Sequence, residues 1–94
     1  MTYILVHLGI ENLAKWKPVL EEISALRKNF GSLGGRAFSK ADNPNEVLVL
    51  GEYESREKAM RMIQSQEFRE ATARAGVKGQ PDAIFLNKVV KLSA

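Results

Sequence analysis

Apolar residues gather along this chain in two kinds of pattern, unbroken runs and helical stripes, and their order predicts the elements. Residues 2–9, Thr-Tyr-Ile-Leu-Val-His-Leu-Gly, form a run of β-formers with apolar side chains on both faces, as expected of a central strand buried on two sides. Leu13, Trp16, Leu20, Ile23 and Leu26 then recur at three- and four-residue spacing, widened by Val19 and Phe30, which is the stripe of an amphipathic helix. Asn12 is its candidate N-cap. Pro18 fits only a first turn, so the regular helix is predicted from near Lys17, with residues 12–16 as a looser lead-in. Gly31 suits a left-handed stop.

Residues 32–39, Ser-Leu-Gly-Gly-Arg-Ala-Phe-Ser, read as a weaker strand. Its paired glycines suit an edge position or a bulge. Ala41-Asp42-Asn43-Pro44-Asn45 is a dense turn signal. Residues 46–53, Glu-Val-Leu-Val-Leu-Gly-Glu-Tyr, form a second run apolar on both faces, predicted to make an antiparallel hairpin with the strand before it. Ser55 caps a helix with Ala59, Met60 and Ile63 inward. Ser65 caps a continuation with Phe68, Ala71 and Ala75 inward, either as one kinked helix or as two short ones. Gly76 is a stop, Gly79-Gln80-Pro81-Asp82 a loop, and residues 83–92 the last strand.

Strand, helix, strand, strand, helix, strand is the order of an α+β, ferredoxin-like βαββαβ fold, expected here as a single domain over residues 1–94. Right-handed crossovers then make a four-stranded antiparallel sheet with helices on one face and the first and third strands in its middle. Those are the two runs apolar on both faces. Their second face needs a cover, and another copy of the chain is the simplest one.

Composition narrows the chemistry. The 94 residues contain no cysteine, which removes disulfides, thiolate zinc sites and a cysteine nucleophile. A single histidine rules out a histidine-rich metal site, and no spacing points to a carboxylate-only one, so neither metal nor cofactor is expected. No apolar stretch is long enough to span a membrane, and the N-terminus lacks a signal-peptide pattern, which leaves cytoplasmic residence as the expectation. The net charge of +3 comes from helices where Lys and Arg alternate with Glu, the usual mark of solvated faces. A nucleic-acid partner is not expected. The third strand offers Val47, Leu48, Val49 and Leu50 where an RNA-binding sheet of this topology needs stacking aromatics.

The run Asn43-Pro44-Asn45-Glu46-Val47-Leu48-Val49-Leu50-Gly51-Glu52-Tyr53-Glu54-Ser55, followed by Ala59, Ser65 and Phe68, resembles the dimeric α+β barrel superfamily and, within it, the antibiotic biosynthesis monooxygenase-like proteins. The resemblance spans nearly the whole chain. It implies a homodimer with two sheets packed face to face through their helix-free sides, and a pocket between each sheet and its own helices. It also implies activities such as cofactor-independent oxidation of phenolic polyketides, cyclisation or haem degradation. Tyr53 stands where many members have Trp, and Met62 where many have His; the second difference argues against haem degradation.

Candidate site residues follow. His7 could be a general base, titrating near neutrality, or a strand histidine satisfied at an interface. Tyr53 could donate a hydrogen bond to a substrate carbonyl or enolate, or pack its ring in the core. Trp16 could wall a pocket for a flat ligand. Arg36 could meet an acidic ligand or face solvent. Phe38, Met62 and Phe68 fit either a core or an apolar pocket. Two functions compete. One is a small-molecule enzyme, a cofactor-independent monooxygenase or cyclase acting on a phenolic or enolisable substrate, with His7 and Tyr53 in one cavity. The other is a non-catalytic homodimer that binds a small apolar or aromatic ligand or serves a regulatory role.

Overall fold

The computed structural model describes all 94 residues. Four strands form one antiparallel sheet: β1 (Thr2–Ile10), β2 (Ser32–Lys40), β3 (Asn43–Tyr53) and β4 (Val77–Leu86), in the spatial order β2-β3-β1-β4. The two runs apolar on both faces are therefore the central strands. Helices α1 (Leu13–Glu22) and α2 (Ser24–Asn29) connect β1 to β2, and α3 (Arg56–Gln64) and α4 (Gln66–Arg74) connect β3 to β4.

Register explains why both faces of the central strands are apolar. Ile4 pairs with Gly51, Val6 with Val49 and Leu8 with Val47, and these side chains meet the helices. Val47 and Ile10 are the most completely buried large side chains, at 0% and 1% exposure. They join Leu8, Trp16, Val19, Ala71 and Ala75 in one cluster, while Ile4, Tyr53, Ala59 and Met62 form a second. Intervening residues point to the helix-free side, because successive strand residues alternate faces. There Leu5 pairs with Leu50 and Ile84, Leu48 with Phe38, and Tyr3 with Leu86. Phe38 and Ile84 are 51% and 56% exposed.

Several boundaries differ from the sequence expectation, each for a local reason. The first helix begins at Leu13, not near Lys17, because the Asn12 side chain accepts from the Lys15 amide at 2.8 Å and supplies the missing cap. Pro18 sits inside α1, at the cost of one backbone bond to the Ala14 carbonyl. Ile23 then separates α1 from α2. Ser65 resolves the open alternative in favour of two helices: its backbone is extended, it ends α3, and its hydroxyl accepts from the Phe68 amide at 3.1 Å to start α4.

The last strand is Val77–Leu86, not 83–92. The expected Gly79–Asp82 loop lies within it as an irregularity, since pairing jumps from His7–Asp82 to Gly9–Lys78. An edge strand tolerates the missing amide of Pro81 there. Residues 87–94 form no regular element, and Val89, Val90 and Leu92 are exposed. Strand β3 starts earlier than expected, at Asn43, leaving Ala41-Asp42 as the hairpin turn. In β2, Leu33 is extra between Ser32–Tyr53 and Gly34–Glu52, so this edge strand carries the bulge that its glycines suggested.

Candidate functional site

A cavity of about 400 Å³ lies between the helix-covered face of the sheet and the helices, a volume suited to a small organic ligand. Its origin is legible in side-chain size. Gly35, Ala37 and Gly51 on the strands and Ala59, Ala71 and Ala75 on the helices all line it. Glycine and alanine hold the backbones in place without filling the space between them. Strand β2 is exposed along Leu33–Ala37, so the cavity opens on that side.

The walls are mostly apolar: 18 of the 27 lining residues are hydrophobic, with Trp16 and Phe68 as their largest aromatic side chains besides Tyr53. Trp16 is positioned by the inner stripe of α1 and is buried. Phe68 lies in the first turn of α4, where the Ser65 cap fixes its backbone. Tyr53 is the last residue of β3, and its ring lies over Gly51. A Cβ added to Gly51 would stand 3.1 Å from Tyr53 Cε1, so the glycine makes room for the ring.

The Tyr53 hydroxyl donates to Met62 Sδ at 3.0 Å. A thioether is a weak acceptor, so a ligand oxygen could displace it at little cost. Burial pushes the Tyr53 phenol above its ordinary pKa, partly offset by the positive charge of Arg27 and by the Ser32 hydroxyl. Tyr53 is therefore protonated at neutral pH, a donor rather than a base.

The sequence candidates divide between the two faces. Trp16, Tyr53, Met62, Phe68 and Arg36 belong to the lining; His7 and Phe38 do not. His7 pairs with Leu48 and Tyr53 with Thr2, which puts His7 and Tyr53 on opposite sides of the sheet. The expected cavity touching both is absent for this geometric reason. Phe38, paired with Leu48, stands on the helix-free face and is half exposed, neither core nor cavity wall. Arg36 pairs with Leu50, so its side chain also stands on the helix-free face, and its share of the lining comes from the backbone of an edge strand.

His7 does find a carboxylate. Its Nε2 is 3.4 Å from Glu46 Oε1, but the alignment makes no hydrogen bond and Nε2 has no such partner. The two groups are close but not bonded. Glu46 pairs with Gly9, making it the diagonal cross-strand neighbour of His7, and it also holds Lys40 at 3.2 Å.

The two polar groups of the lining that act on Tyr53, Arg27 and Ser32, were missed in the sequence. Arg27 read as part of a solvated charge pattern, and Ser32 as a strand start. Leu20, Ile23 and Arg27 are spaced by three and four residues, which puts Arg27 on the inner stripe; that spacing was the available signal. The lining contains no Asp, Glu or His, so no conventional base faces the cavity. No helix is long and apolar enough to cross a membrane.

No protein-family model matches the chain, and no curated protein matches its sequence. Solved structures do match its shape. One is a protein from Bordetella bronchiseptica described as a candidate antibiotic biosynthesis monooxygenase: TM-score 0.82, 15% identity, covering 95% of this chain and 97% of that one. Another is SnoaB, a cofactor-independent oxygenase from Streptomyces nogalater: TM-score 0.78, 11% identity, 99% and 97% coverage. A third is a monooxygenase from Streptomyces coelicolor in complex with nanaomycin D: TM-score 0.70, 16% identity, 99% and 91% coverage. At these identities the likeness is one of architecture. This chain has the α+β, ferredoxin-like fold shared by the antibiotic biosynthesis monooxygenase-like proteins.

Proposed function

We propose that this protein binds a flat, apolar or aromatic small molecule in the cavity between sheet and helices and acts on it by cofactor-independent oxidation or cyclisation of an enolisable or phenolic group. The observation that carries this reading is a cavity of about 400 Å³ whose lining includes Trp16, Phe68 and the protonated Tyr53, with its hydroxyl on the weak acceptor Met62 Sδ. A buried donor lowers the energy of negative charge developing on a ligand oxygen.

For an enolisable CH₂ group the oxidation balances with O₂ alone. The enolate carbon gives up electrons to O₂, a C–O bond forms, and the O–O bond of the resulting hydroperoxide breaks. One oxygen stays as a carbonyl and the other leaves as water with the two hydrogens of the CH₂ group. Tyr53 would hold the enolate oxygen throughout.

Anthrone, a tricyclic ketone of this kind, tests the reading when anthraquinone formation is followed under air. The wild type should accelerate the reaction, and Tyr53→Phe should slow it about 100-fold, the usual cost of losing one such donor. No acceleration by the wild type, with anthrone still bound, would overturn the oxidation. Binding alone would favour a second reading, a non-catalytic ligand-binding protein, which the lack of a base in the lining supports.

The same reading includes a homodimer formed through the helix-free face. Phe38, Ile84 and Leu86 are exposed there beside Leu5, Leu48 and Leu50, and an apolar sheet face of this kind normally has a cover. The wild type should have the mass of two chains in solution, and Leu48→Lys that of one. A wild-type monomer at micromolar concentration would contradict the dimer.

A further inference from the structure

The charges around the cavity are all of one sign. Arg27, Lys28 and Arg36 belong to its lining and no carboxylate does, although the chain carries 11 Asp and Glu residues. Of the three, Lys28 is exposed and the Arg36 side chain stands on the other face of the sheet by register. Arg27 is the cation that serves the interior.

Arg27 is the one helix cation that is not exposed; Lys17, Lys28, Arg56 and Arg69 also lack a carboxylate partner but stand in water. Lys15, Lys58, Arg61 and Arg74 each lie within 3.4 Å of a Glu oxygen. Arg27 is half-buried, and its Nη1 donates to the Leu20 carbonyl at 2.6 Å. That bond joins two turns of the inner stripe and fixes the guanidinium without neutralising it. A guanidinium has further N–H donors in a planar fork suited to oxygen anions. Its charge also acts on the Tyr53 phenol. A half-buried, immobilised cation facing an acid-free apolar cavity lacks its counterion.

We infer that the cavity takes its ligand as an organic anion, with a flat apolar body among Trp16, Met62 and Phe68 and an ionised oxygen held between Arg27 and Tyr53. This rests on the ligand-binding reading above and deepens it. It also accounts for the absence of a base: a ligand already ionised in solution needs none at the site. The shared chemistry is an anionic oxygen attached to an aromatic system, whether a carboxylate or the conjugate base of an acidic phenol or enol.

The test uses Trp16, the only tryptophan, as a fluorescent reporter of binding. The probes are 2-naphthoate, its neutral isostere 2-naphthamide, and a nitronaphthol that is ionised at pH 8. Wild-type protein should bind naphthoate about 10- to 100-fold more tightly than naphthamide, the range for one charge-assisted hydrogen bond. Arg27→Gln should bring the two within about threefold, Arg27→Lys should keep most of the difference, and Lys17→Gln, at an exposed cation outside the lining, should leave it nearly intact. Thermal melts check that each variant is folded, and the charge-conserving Arg27→Lys separates loss of charge from loss of packing. Tight binding of the nitronaphtholate with weak naphthoate binding would support the inference and assign the phenolate or enolate class; the reverse would support it and assign carboxylates.

Equal affinity for all three probes, with neither anion preferred over naphthamide, would overturn the anion inference and leave the apolar-ligand reading standing. A preference that survives in Arg27→Gln would overturn the role of Arg27. If none of the probes binds, the ligand-binding reading falls and this inference falls with it.

Discussion

The two faces of the sheet use the same strands for opposite purposes. On the helix-covered face, Ile10 and Val47 are sealed into a packed cluster, and a few positions away Gly35, Gly51 and Ala59 leave space open. On the helix-free face Leu5, Leu48, Leu50, Phe38 and Ile84 make an apolar surface bordered by His7, Arg36, Glu46 and Lys40. The first face combines a core with a cavity. The second has an apolar centre among charged residues such as Arg36, Glu52 and Asp82, and no helices to cover it. A single-residue shift in strand register would exchange the two sets of side chains, so function on this scaffold depends on register as much as on residue identity.

The contrast can be broken most forcefully at Ile10. Ile10→Ala should cost the folded chain about 3 kcal/mol by denaturant unfolding, from lost burial and an unfilled void. Ile84→Ala, on the exposed face, should change the stability of the isolated chain by less than about 0.5 kcal/mol. Equal costs would mean that the helix-free face is as tightly packed within one chain as the other. Next in size is Gly35→Ala, where the new Cβ would collide with the Leu50 carbonyl oxygen. Forcing β2 away from β3 should cost about 2 kcal/mol and alter ligand affinity at the cavity mouth, measured by Trp16 fluorescence.

Alkaline pH probes the helix-covered face more gently. The Tyr53 phenol has a raised pKa in the folded chain, with burial as the main cause. Between the unfolded value near 10 and the raised folded value, the unfolded chain has lost this proton and the folded chain has kept it. Stability should therefore decline as pH rises past about 10. In Tyr53→Phe that part of the decline should disappear, and so should the most alkaline portion of the phenolate absorbance. The smallest effect belongs to His7→Ala: with the imidazole behind the sheet, affinity for a ligand in the cavity should stay within about twofold of wild type, in line with the small effects expected of sites away from the contact. A large loss would bring His7 back into the site.

Most of the fold was legible because its signals are local and repeated. Runs apolar on both faces marked the central strands, and Asn12, Ser55 and Ser65 marked helix starts that the structure confirms by cap bonds. The errors fell where tertiary pairing overrides a breaker. Pro81 and Gly79 look like a loop in isolation, but β1 is long enough to hold them in an irregular edge strand. The site was less legible. Trp16 and Phe68 could be placed inward by periodicity, whereas on α3 the stripe read Met60 as inward and the structure buries Met62 instead. The separation of His7 from Tyr53 depends on the parity of two strands paired across the chain, which no local spacing reveals. Arg27 was hidden by its charge: basic residues on helices usually face water, and the stripe position it occupies was the weaker cue.

The bond from Tyr53 to Met62 has a further consequence. Met62 is the only sulfur in the cavity lining, and it touches the atom that would hold a reacting oxygen. Oxygen chemistry that occasionally released peroxide would meet this thioether before any other group that it readily oxidises. The sulfoxide formed would be a stronger acceptor than the thioether and would draw the phenol proton away from the ligand. Errant turnover would then leave both a lasting record and a brake in the same residue, as a methionine one oxygen atom heavier beside a tyrosine no longer free to donate.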